Sequence, residues 1–342
     1  MKKIITLLLT AAVFSSCRTN QLYIRVQVPA PVTISNSVKR VGVINRSVPN
    51  EQEKVQNAAH QVLSAQSFAI LKEGGAEGIR GLKDALMENK RFDNIDVIDS
   101  VSLKSTAIGL FPAELSWDKV ESICKANQLD ALFVLEMFDT ELKVSPNSVP
   151  VNINNPMQVV NAVQNVSMTT TVKTGWRIYV PGIRRVIDEY TISRNTSFSG
   201  NANPLSTVDA LLQRKEAIKQ VANECGHAYA VRILPILTRV YRDYFIRGSD
   251  ALKIATRRAR TGNWDGAAEI WLKEVNSSRS KAAGRACYNM AIINEINGNL
   301  DEAIKWAQKA YEDYGVRLSL SYINMLKSRK NEQNLLEKQE TQ

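Results

Sequence analysis

Short runs of alternating or β-branched apolar residues, separated by stretches with helical spacing, occupy the first part of the chain. The alternation predicts strands, and apolar positions three and four residues apart predict helices. Strands that alternate with helices predict an α/β sheet. In chain order the predicted elements are strand 38–45, helix 51–71, helix 78–89, strand 95–98, helix 117–127 with Ser116 as its N-cap, and the continuous apolar strand 131–135.

A hairpin follows these elements. Residues 166–178 alternate, with Trp176 on the face expected to be buried and Arg177 on the face expected to be exposed. The turn dipeptide Pro181-Gly182 leads into a returning strand at 184–198. An antiparallel hairpin added to strand–helix units predicts a sheet with mixed strand directions, in two or three layers.

Two longer segments complete this part of the chain. Residues 145–165 are rich in Asn and Pro and predict a loop, and 207–247 has a helical pattern interrupted by Pro235. The mixed α/β domain is therefore predicted over 38–248. Its order of elements resembles that of the small α/β domain in the curli-secretion-channel lipoprotein and in the Tol-system propeller protein. The resemblance rests on this order and on the stretches 39–43 and 129–134.

The second part of the chain contains an internal repeat. Gly262-Asn263-Trp264-Asp265-Gly266-Ala267 recurs, 36 residues later, as Gly298-Asn299-Leu300-Asp301-Glu302-Ala303. This period and pattern resemble the tetratricopeptide repeat, in which each unit is a pair of helices. The resemblance assigns signature positions to Gly262, Trp264, Ala267, Trp271, Gly298, Leu300, Ala303 and Ala310.

The repeats define the C-terminal organisation. Tetratricopeptide-like repeats with a capping helix from Val316 to Lys327 are predicted over 249–327, followed by a frayed polar tail over 328–342. Because two repeats rarely bury their faces alone, we expect them to dock on a helix near residues 236–246. Trp264 and Trp271 favour core packing over a sugar-binding platform at this spacing.

The N-terminus has the pattern of an export signal. A basic start is followed by the apolar run 4–14 and then Ser15-Ser16-Cys17, which resembles the lipobox of bacterial lipoproteins. The resemblance implies a signal peptide over 1–16, acylation of Cys17, palmitate included, and a lipid anchor and tether over 17–37. An ordinary signal peptide is the alternative. Residues 18–21 lack an acidic run, which favours an outer-membrane protein facing the periplasm.

Charge adds one candidate surface. The formal net charge is +10, and the stretch from Arg232 to Arg260 contains eight Lys or Arg residues against two Asp residues. Such a stretch is either a solvated helix face or a contact with anionic lipid or an acidic partner, whereas export argues against nucleic acid. The candidate basic binding face is Lys253, Arg257, Arg258 and Arg260.

No constellation of residues predicts catalysis, a metal or a cofactor. His60 and His227 lack ligand spacing, and Gly74–Gly78 lacks a phosphate-binding pattern and predicts a loop at a helix entry. Ser116 and Lys119 match S-x-x-K by letter only, and Glu136, Asp139 and Glu141 have no identifiable partner. Asp93, Asp96 and Asp99 lack the glycine and closing glutamate of a calcium loop.

The remaining cysteines leave two possibilities. Cys124, Cys225 and Cys287 are odd in number and have no CxxC spacing, which excludes a zinc site or a disulfide-rich scaffold. Three buried thiols are favoured, and a Cys124–Cys225 bridge is the alternative.

Together, the lipobox, the α/β domain and the repeats resemble a family of tetratricopeptide-repeat lipoproteins from Bacteroidota. This resemblance implies no activity and no catalytic residues. We therefore expect a non-catalytic scaffold that binds a protein or peptide. The alternatives are a subunit of an oligomeric outer-membrane or secretion assembly, and a cell-envelope hydrolase.

Overall fold

A computed structural model describes residues 19–47, 65–98, 111–146, 165–201 and 208–341. The chain divides into two compact units, one formed by Ala30–Pro235 and the other by the N-terminal strand together with Ile236–Lys338. The expected fold class, a mixed α/β domain followed by an all-α region, is confirmed. In chain order the elements are β1 (Thr19–Val28), β2 (Arg40–Asn45), α1 (Ala65–Asn89), β3 (Asn94–Ile98), α2 (Trp117–Asn127), β4 (Ala131–Pro146), β5 (Asn165–Val180), β6 (Arg185–Asn201), α3 (Val208–Ile233), β7 (Ile236–Phe245), α4 (Asp250–Arg260), α5 (Trp264–Glu274), α6 (Ser280–Ile296), α7 (Leu300–Glu312) and α8 (Leu318–Thr341).

The first unit is built on a five-stranded sheet with the order β3-β2-β4-β5-β6. β2 is parallel to both β3 and β4, whereas β5 is antiparallel to β4 and β6. The mixed strand directions expected from the sequence are therefore present. The hairpin turn between β5 and β6 is a short 3-10 helix, Pro181–Ile183.

Helices cover both faces of this sheet. Trp176 and Ile178 of β5 pack with residues of α1 and α3 on one face, and Trp176 stacks on Tyr229 with ring centroids 5.1 Å apart. Tyr179 points to the opposite face and packs with Val120 of α2. Arg177, which was expected to be exposed, is also buried on that face, because residues 111–115 and the sheet enclose it.

Glycines bring α1 and α3 into close contact. A Cβ at Gly226 would lie 1.8 Å from the Gly78 carbonyl oxygen, and one at Gly81 would lie 2.1 Å from the Asn223 carbonyl oxygen. Only glycine permits this approach of two backbones. The expectation of a loop at Gly74–Gly78 is wrong, because these residues lie inside α1, where Gly78 packs against the backbone of α3.

The second unit combines a two-stranded ribbon with five helices. β1 and β7 pair antiparallel over their full ten residues. Helices α4 and α5 form one hairpin, α6 and α7 form another, and α8 follows. Among the described residues no helix is long and apolar enough to cross a bilayer.

The ribbon differs from the sequence expectation at both of its strands. Thr19–Val28 lies within the expected tether, but it forms a strand. Val26 and every second residue from it pack inward, whereas the residues between them face out. The helix expected over 207–247 ends at Ile233, and a strand follows Pro235. Because Pro235 has no N–H to donate, it ends the helix and does not merely interrupt it.

Other boundaries also shift. The tail expected to fray is the second half of α8, which extends to Thr341. Its Glu, Lys, Gln and Leu residues have high helix propensity even though most are exposed. Most of the expected helix 51–71 and of the expected loop 145–165 lies outside the described residues, as do Cys17, His60 and Asp99.

Candidate functional site

The turns of the two helical hairpins explain the repeated Gly-Asn pairs. Gly262 and Gly298 have φ angles of +80° and +79°, a left-handed conformation that favours glycine. Asn263, at the N-cap of α5, accepts a hydrogen bond from the Gly266 backbone N–H at 2.9 Å. The spacing of the two motifs therefore reflects helix termination and capping.

The other signature residues form the core of these hairpins. The side chains of Ala267, Trp271, Ala303 and Ala310 are fully buried. Leu300 is 5% exposed, and Trp264 is partly buried against the same core. Neither tryptophan is presented as a flat surface for a ligand, since Tyr244 of β7 packs against both rings.

Strand β7 lies along α6 and covers a side of that helix which would otherwise face solvent. Asn289, a fully buried residue of α6, accepts a hydrogen bond from the Phe245 N–H at 2.7 Å and donates one to the Phe245 carbonyl at 2.8 Å. One carboxamide thus satisfies both backbone groups of a strand residue. The phenyl ring of Phe245 packs edge-on against Tyr288.

A buried ion pair makes the second connection. Arg242 of β7 donates two hydrogen bonds to the Glu295 carboxylate, at 2.7 and 2.6 Å, and Tyr322 of α8 donates a third at 2.7 Å. Burial first, and then the Glu295 charge, raises the pKa of Tyr322 well above its ordinary value. Three elements therefore meet at one carboxylate.

The expected docking segment is thus present, but it is a strand. The sequence placed a helix near residues 236–246 against the repeats, and the structure places β7 there. Because β7 and its hydrogen bonds to Asn289 and Glu295 occupy this side of α6, that side offers no open groove for a peptide. The contacts of β7 with Asn289 and Glu295 have no local sequence signal, because they join residues that are far apart in the chain. Arg242 and Glu295, for example, are 53 residues apart.

The candidate basic binding face lies on α4, and all four of its side chains are exposed. Lys253 pairs with Asp250 at 2.9 Å, and Arg258 donates to the Gly266 carbonyl at 2.9 Å and lies 3.8 Å from Glu269. Within the described part of the chain, Arg257 and Arg260 have no carboxylate at ion-pair distance. These two arginines are the part of the face that is available to an anionic partner.

A buried carboxylate also organises the α/β unit. Glu136 is the extra residue of a β-bulge in β4, which aims it at the face covered by α2. It accepts hydrogen bonds from Tyr179 and Arg46, at 2.7 and 2.8 Å, and Arg177 lies 3.5 Å away. Burial first, and then Glu136, raises the pKa of Tyr179 above its ordinary value.

This cluster fastens a loop to the sheet. Arg46 and Arg177 donate to the backbone carbonyls of Ala113 and Pro112, and the Leu115 N–H donates to the Tyr179 hydroxyl. Each side chain around Glu136 therefore has at least one protein partner, although the buried Arg46 Nε has none among the described residues. A bulge is invisible to period-two alternation, so the sequence did not reveal this cluster.

The remaining candidate residues do not converge on one place. His227 is exposed on α3. Ser116 is exposed at the N-cap of α2 without a side-chain cap bond, and its carbonyl accepts the Lys119 backbone N–H at 3.0 Å. Asp96 accepts a hydrogen bond from Asn94 in β3. Among the described residues, no group of three or more metal-ligating side chains comes together.

The three described cysteines are free and buried. Burial raises the pKa of Cys124, Cys225 and Cys287 to about 11. Thiols of this kind are neutral and unreactive near neutral pH. A Cys124–Cys225 bridge is absent from the structure.

Two protein-family models match the chain. A family model described as "Domain of unknown function (DUF8603)" matches residues 38–245, which is more than half of the chain. The chain belongs to this family. A second model, "Domain of unknown function (DUF6340)", matches residues 253–328, so the two families meet between β7 and the helices of the DUF6340 region. No curated protein matches the sequence.

Similarity to solved structures is distant. The PelC dodecamer from Paraburkholderia phytofirmans is 6% identical with a TM-score of 0.25, over 63% of this chain and 98% of that chain. The rare lipoprotein B from Shewanella oneidensis is 12% identical with a TM-score of 0.23, over 56% of this chain and 94% of that chain. Similarity at this level carries no functional argument.

Proposed function

We propose that this protein is a lipid-anchored, non-catalytic scaffold that faces the periplasm and binds an acidic segment of a partner protein through its tetratricopeptide-like helices. The observation that carries the proposal is the pair Arg257 and Arg260. Both are exposed on α4, and neither has a carboxylate partner within the described residues. Exposed cations without partners attract an acidic protein surface and fix its orientation.

The proposed binding surface differs from the groove that a helical repeat ordinarily offers. On α6, the side that meets β7 is closed by the bonds to Asn289 and Glu295. The exposed surface of α4 is not covered in this way. We therefore place the partner on α4, with Arg257 and Arg260 as its principal contacts.

A charge-reversal pair tests the partner site. We expect Arg257→Glu with Arg260→Glu to abolish capture of the partner from envelope extracts, because two favourable contacts become repulsive. Lys119→Glu with Lys125→Glu is the matched control, since both lysines are exposed on α2. Capture of the same proteins by both variants would contradict the proposed site. Point variants are preferable to a 249–342 deletion, which would uncover the buried side of β7.

The anchor is tested separately. Growth with labelled palmitate is expected to label the wild-type chain and to leave a Cys17→Ser variant unlabelled. One acyl chain binds a bilayer only marginally, whereas several hold it stably, so the variant should also leave the membrane fraction. Equal membrane retention of both forms, without label in either, would contradict lipid anchoring.

A further inference from the structure

The solvent side of the two-stranded ribbon has an unusual composition. From Gln21 to Gln27 in β1 and from Leu237 to Asp243 in β7, the odd-numbered residues point away from the helices, whereas Val26, Arg242 and Tyr244 point inward and are buried. We call this outer side the ribbon face. It consists of Tyr23, Arg25, Leu237, Arg239 and Tyr241 with their polar neighbours Gln21, Gln27 and Asp243.

Large apolar surface is concentrated on the ribbon face. Tyr23 is 57% exposed, and Leu237 and Tyr241 are each 66% exposed. The two tyrosines are opposite each other across the ribbon. Tyrosine has an apolar ring and a polar hydroxyl, which suits the boundary between a bilayer and water.

Two arginines also oppose each other on the ribbon face, two residues along each strand from the tyrosine pair. Arg25 pairs in register with Arg239, so their Cβ atoms are about 5 Å apart, and like charges at such a position destabilise a sheet. In the described part of the chain neither has a carboxylate at ion-pair distance. Arg239 lies over the Tyr23 ring, 5.2 Å from its centroid. A phosphate shared by both guanidinium groups would remove the repulsion.

We propose that the ribbon face lies on the headgroup layer of the bilayer that holds the Cys17 lipid, with Arg25 and Arg239 sharing a phospholipid phosphate. This inference rests on the proposed lipid anchor. Cys17 precedes the first residue of β1 by two positions, so the chain between the lipid and the ribbon can span at most about 7 Å. Asp243 is the one carboxylate on the face among the described residues, and it is partly buried at the ribbon end nearest the lipid.

Spin labelling tests where the ribbon face lies. The acylated full chain, labelled at Tyr241→Cys, is reconstituted in phosphatidylethanolamine–phosphatidylglycerol vesicles, and the label's accessibility to a water-soluble nickel chelate is measured. Cys124, Cys225 and Cys287 are buried and will not take the label. Tyr311→Cys on α7 is the matched control, since Tyr311 is 39% exposed.

We expect the nickel chelate to reach position 241 about threefold less than position 311, because the headgroup layer excludes it. Equal accessibility at the two positions would overturn the proposal. Dipolar coupling between labels at position 241 on two copies would also overturn it, because a second copy of the chain would then occupy the face.

A second experiment tests the arginine pair without the lipid. Full-length Cys17→Ser chain is sedimented with phosphatidylglycerol vesicles, with and without Arg25→Gln and Arg239→Gln. We expect the double variant to bind about thirtyfold more weakly, because each basic residue near an anionic surface contributes about fivefold to binding. Lys119→Gln with Lys125→Gln should bind like the parent chain.

The outcomes separate this inference from the proposed function. Unchanged sedimentation of the arginine variant, or release of the parent chain by inorganic phosphate alone, would overturn the role of Arg25 and Arg239 at a bilayer. Neither result depends on acylation of Cys17. Absence of palmitate label from the wild-type chain, together with arginine-dependent sedimentation, would contradict the lipid anchor and the position beside it, but would still support binding of the ribbon face to an anionic bilayer.

Discussion

At the scale of residues, the same arrangement holds a buried carboxylate in each unit. Glu136 accepts from Arg46 and Tyr179, and Glu295 accepts from Arg242 and Tyr322. A buried charge is costly unless a partner and hydrogen bonds compensate it. An arginine neutralises each carboxylate and a tyrosine hydroxyl satisfies a remaining lone pair. These clusters fix the position of a loop in one unit and of a strand in the other.

Asn289 gives the first stability prediction. Asn289→Leu keeps the number and branching of the side-chain heavy atoms but leaves the N–H and the carbonyl of Phe245 without their partner inside the protein. We expect the free energy of unfolding to fall by about 2–4 kcal/mol, because an unsatisfied buried polar group costs about 1–3 kcal/mol. Urea unfolding measures the change.

Asn294 is the matched control on the same helix. Its side chain is partly buried and donates only to the Met290 carbonyl, one turn earlier in α6. That carbonyl is already part of the helix, so Asn294→Leu should cost less than about 1 kcal/mol. An equal loss in free energy of unfolding in the two variants would show that the hydrogen bonds to Phe245 stabilise the fold no more than the bond from Asn294 does.

At the scale of elements, the contact between α1 and α3 depends on the absence of a side chain. In Gly226→Ala, the new methyl group would overlap the Gly78 carbonyl oxygen, and the helices would have to separate. We expect a loss of about 3 kcal/mol, at the upper end for an overpacked core. Thermal or urea unfolding detects it.

Gly182 provides the comparison for this prediction. It lies in the turn Pro181–Ile183, and a Cβ there would meet none of the described residues within 4 Å. We expect Gly182→Ala to change the free energy of unfolding by less than about 0.5 kcal/mol. A small effect of Gly226→Ala would mean that the two helices move apart without cost.

Elements with a strong local pattern were predictable, and elements defined by distant pairing were not. The β5–β6 hairpin follows from alternation around Trp176 and from Pro181-Gly182. In contrast, the tether prediction that includes β1 rests on Pro29, Pro31 and the lack of helical periodicity, and none of these features reveals a strand. Residues of β1 lie at least 208 positions from their partners in β7 (236 − 28 = 208), and a pairing of that range has no local signature.

The candidate site shows the same division. Burial of Ala267, Trp271 and Ala303 followed from the repeat spacing, because helix packing is periodic. The Arg242–Glu295 pair did not, because β7 had been assigned to a helix and its in-facing side could not be identified. The sequence singled out Glu136 but gave it no partner, because a bulge breaks the alternation that otherwise shows which face a strand residue occupies.

At the scale of the whole molecule, both units bury groups that ionise at alkaline pH. Burial raises the pKa of Cys124, Cys225 and Cys287 from 9.0 to about 11. Burial likewise raises the pKa of Tyr179 and Tyr322 above 10.0. In each case the folded chain keeps its proton at a pH where the unfolded chain has lost it.

The sign of the resulting pH dependence follows from linkage. Below pH 9 both states hold these protons, and the stabilising difference is fully present. Above pH 9 the unfolded chain releases its thiol protons first, so the free energy of unfolding falls as the pH rises. We expect the urea midpoint, measured under reducing conditions, to be steady between pH 7 and 9 with respect to these groups and to drop between pH 9 and 11.

A variant without the three thiols separates their contribution from that of the tyrosines. Cys124→Ala, Cys225→Ala and Cys287→Ala together lower the midpoint at every pH by removing buried sulfur, but they also remove the ionisation that begins at pH 9. The onset of alkaline destabilisation should therefore move up to about pH 10, where the tyrosines of the unfolded chain begin to ionise. An onset that stays at pH 9 in this variant would show that other groups control the alkaline limit of both units.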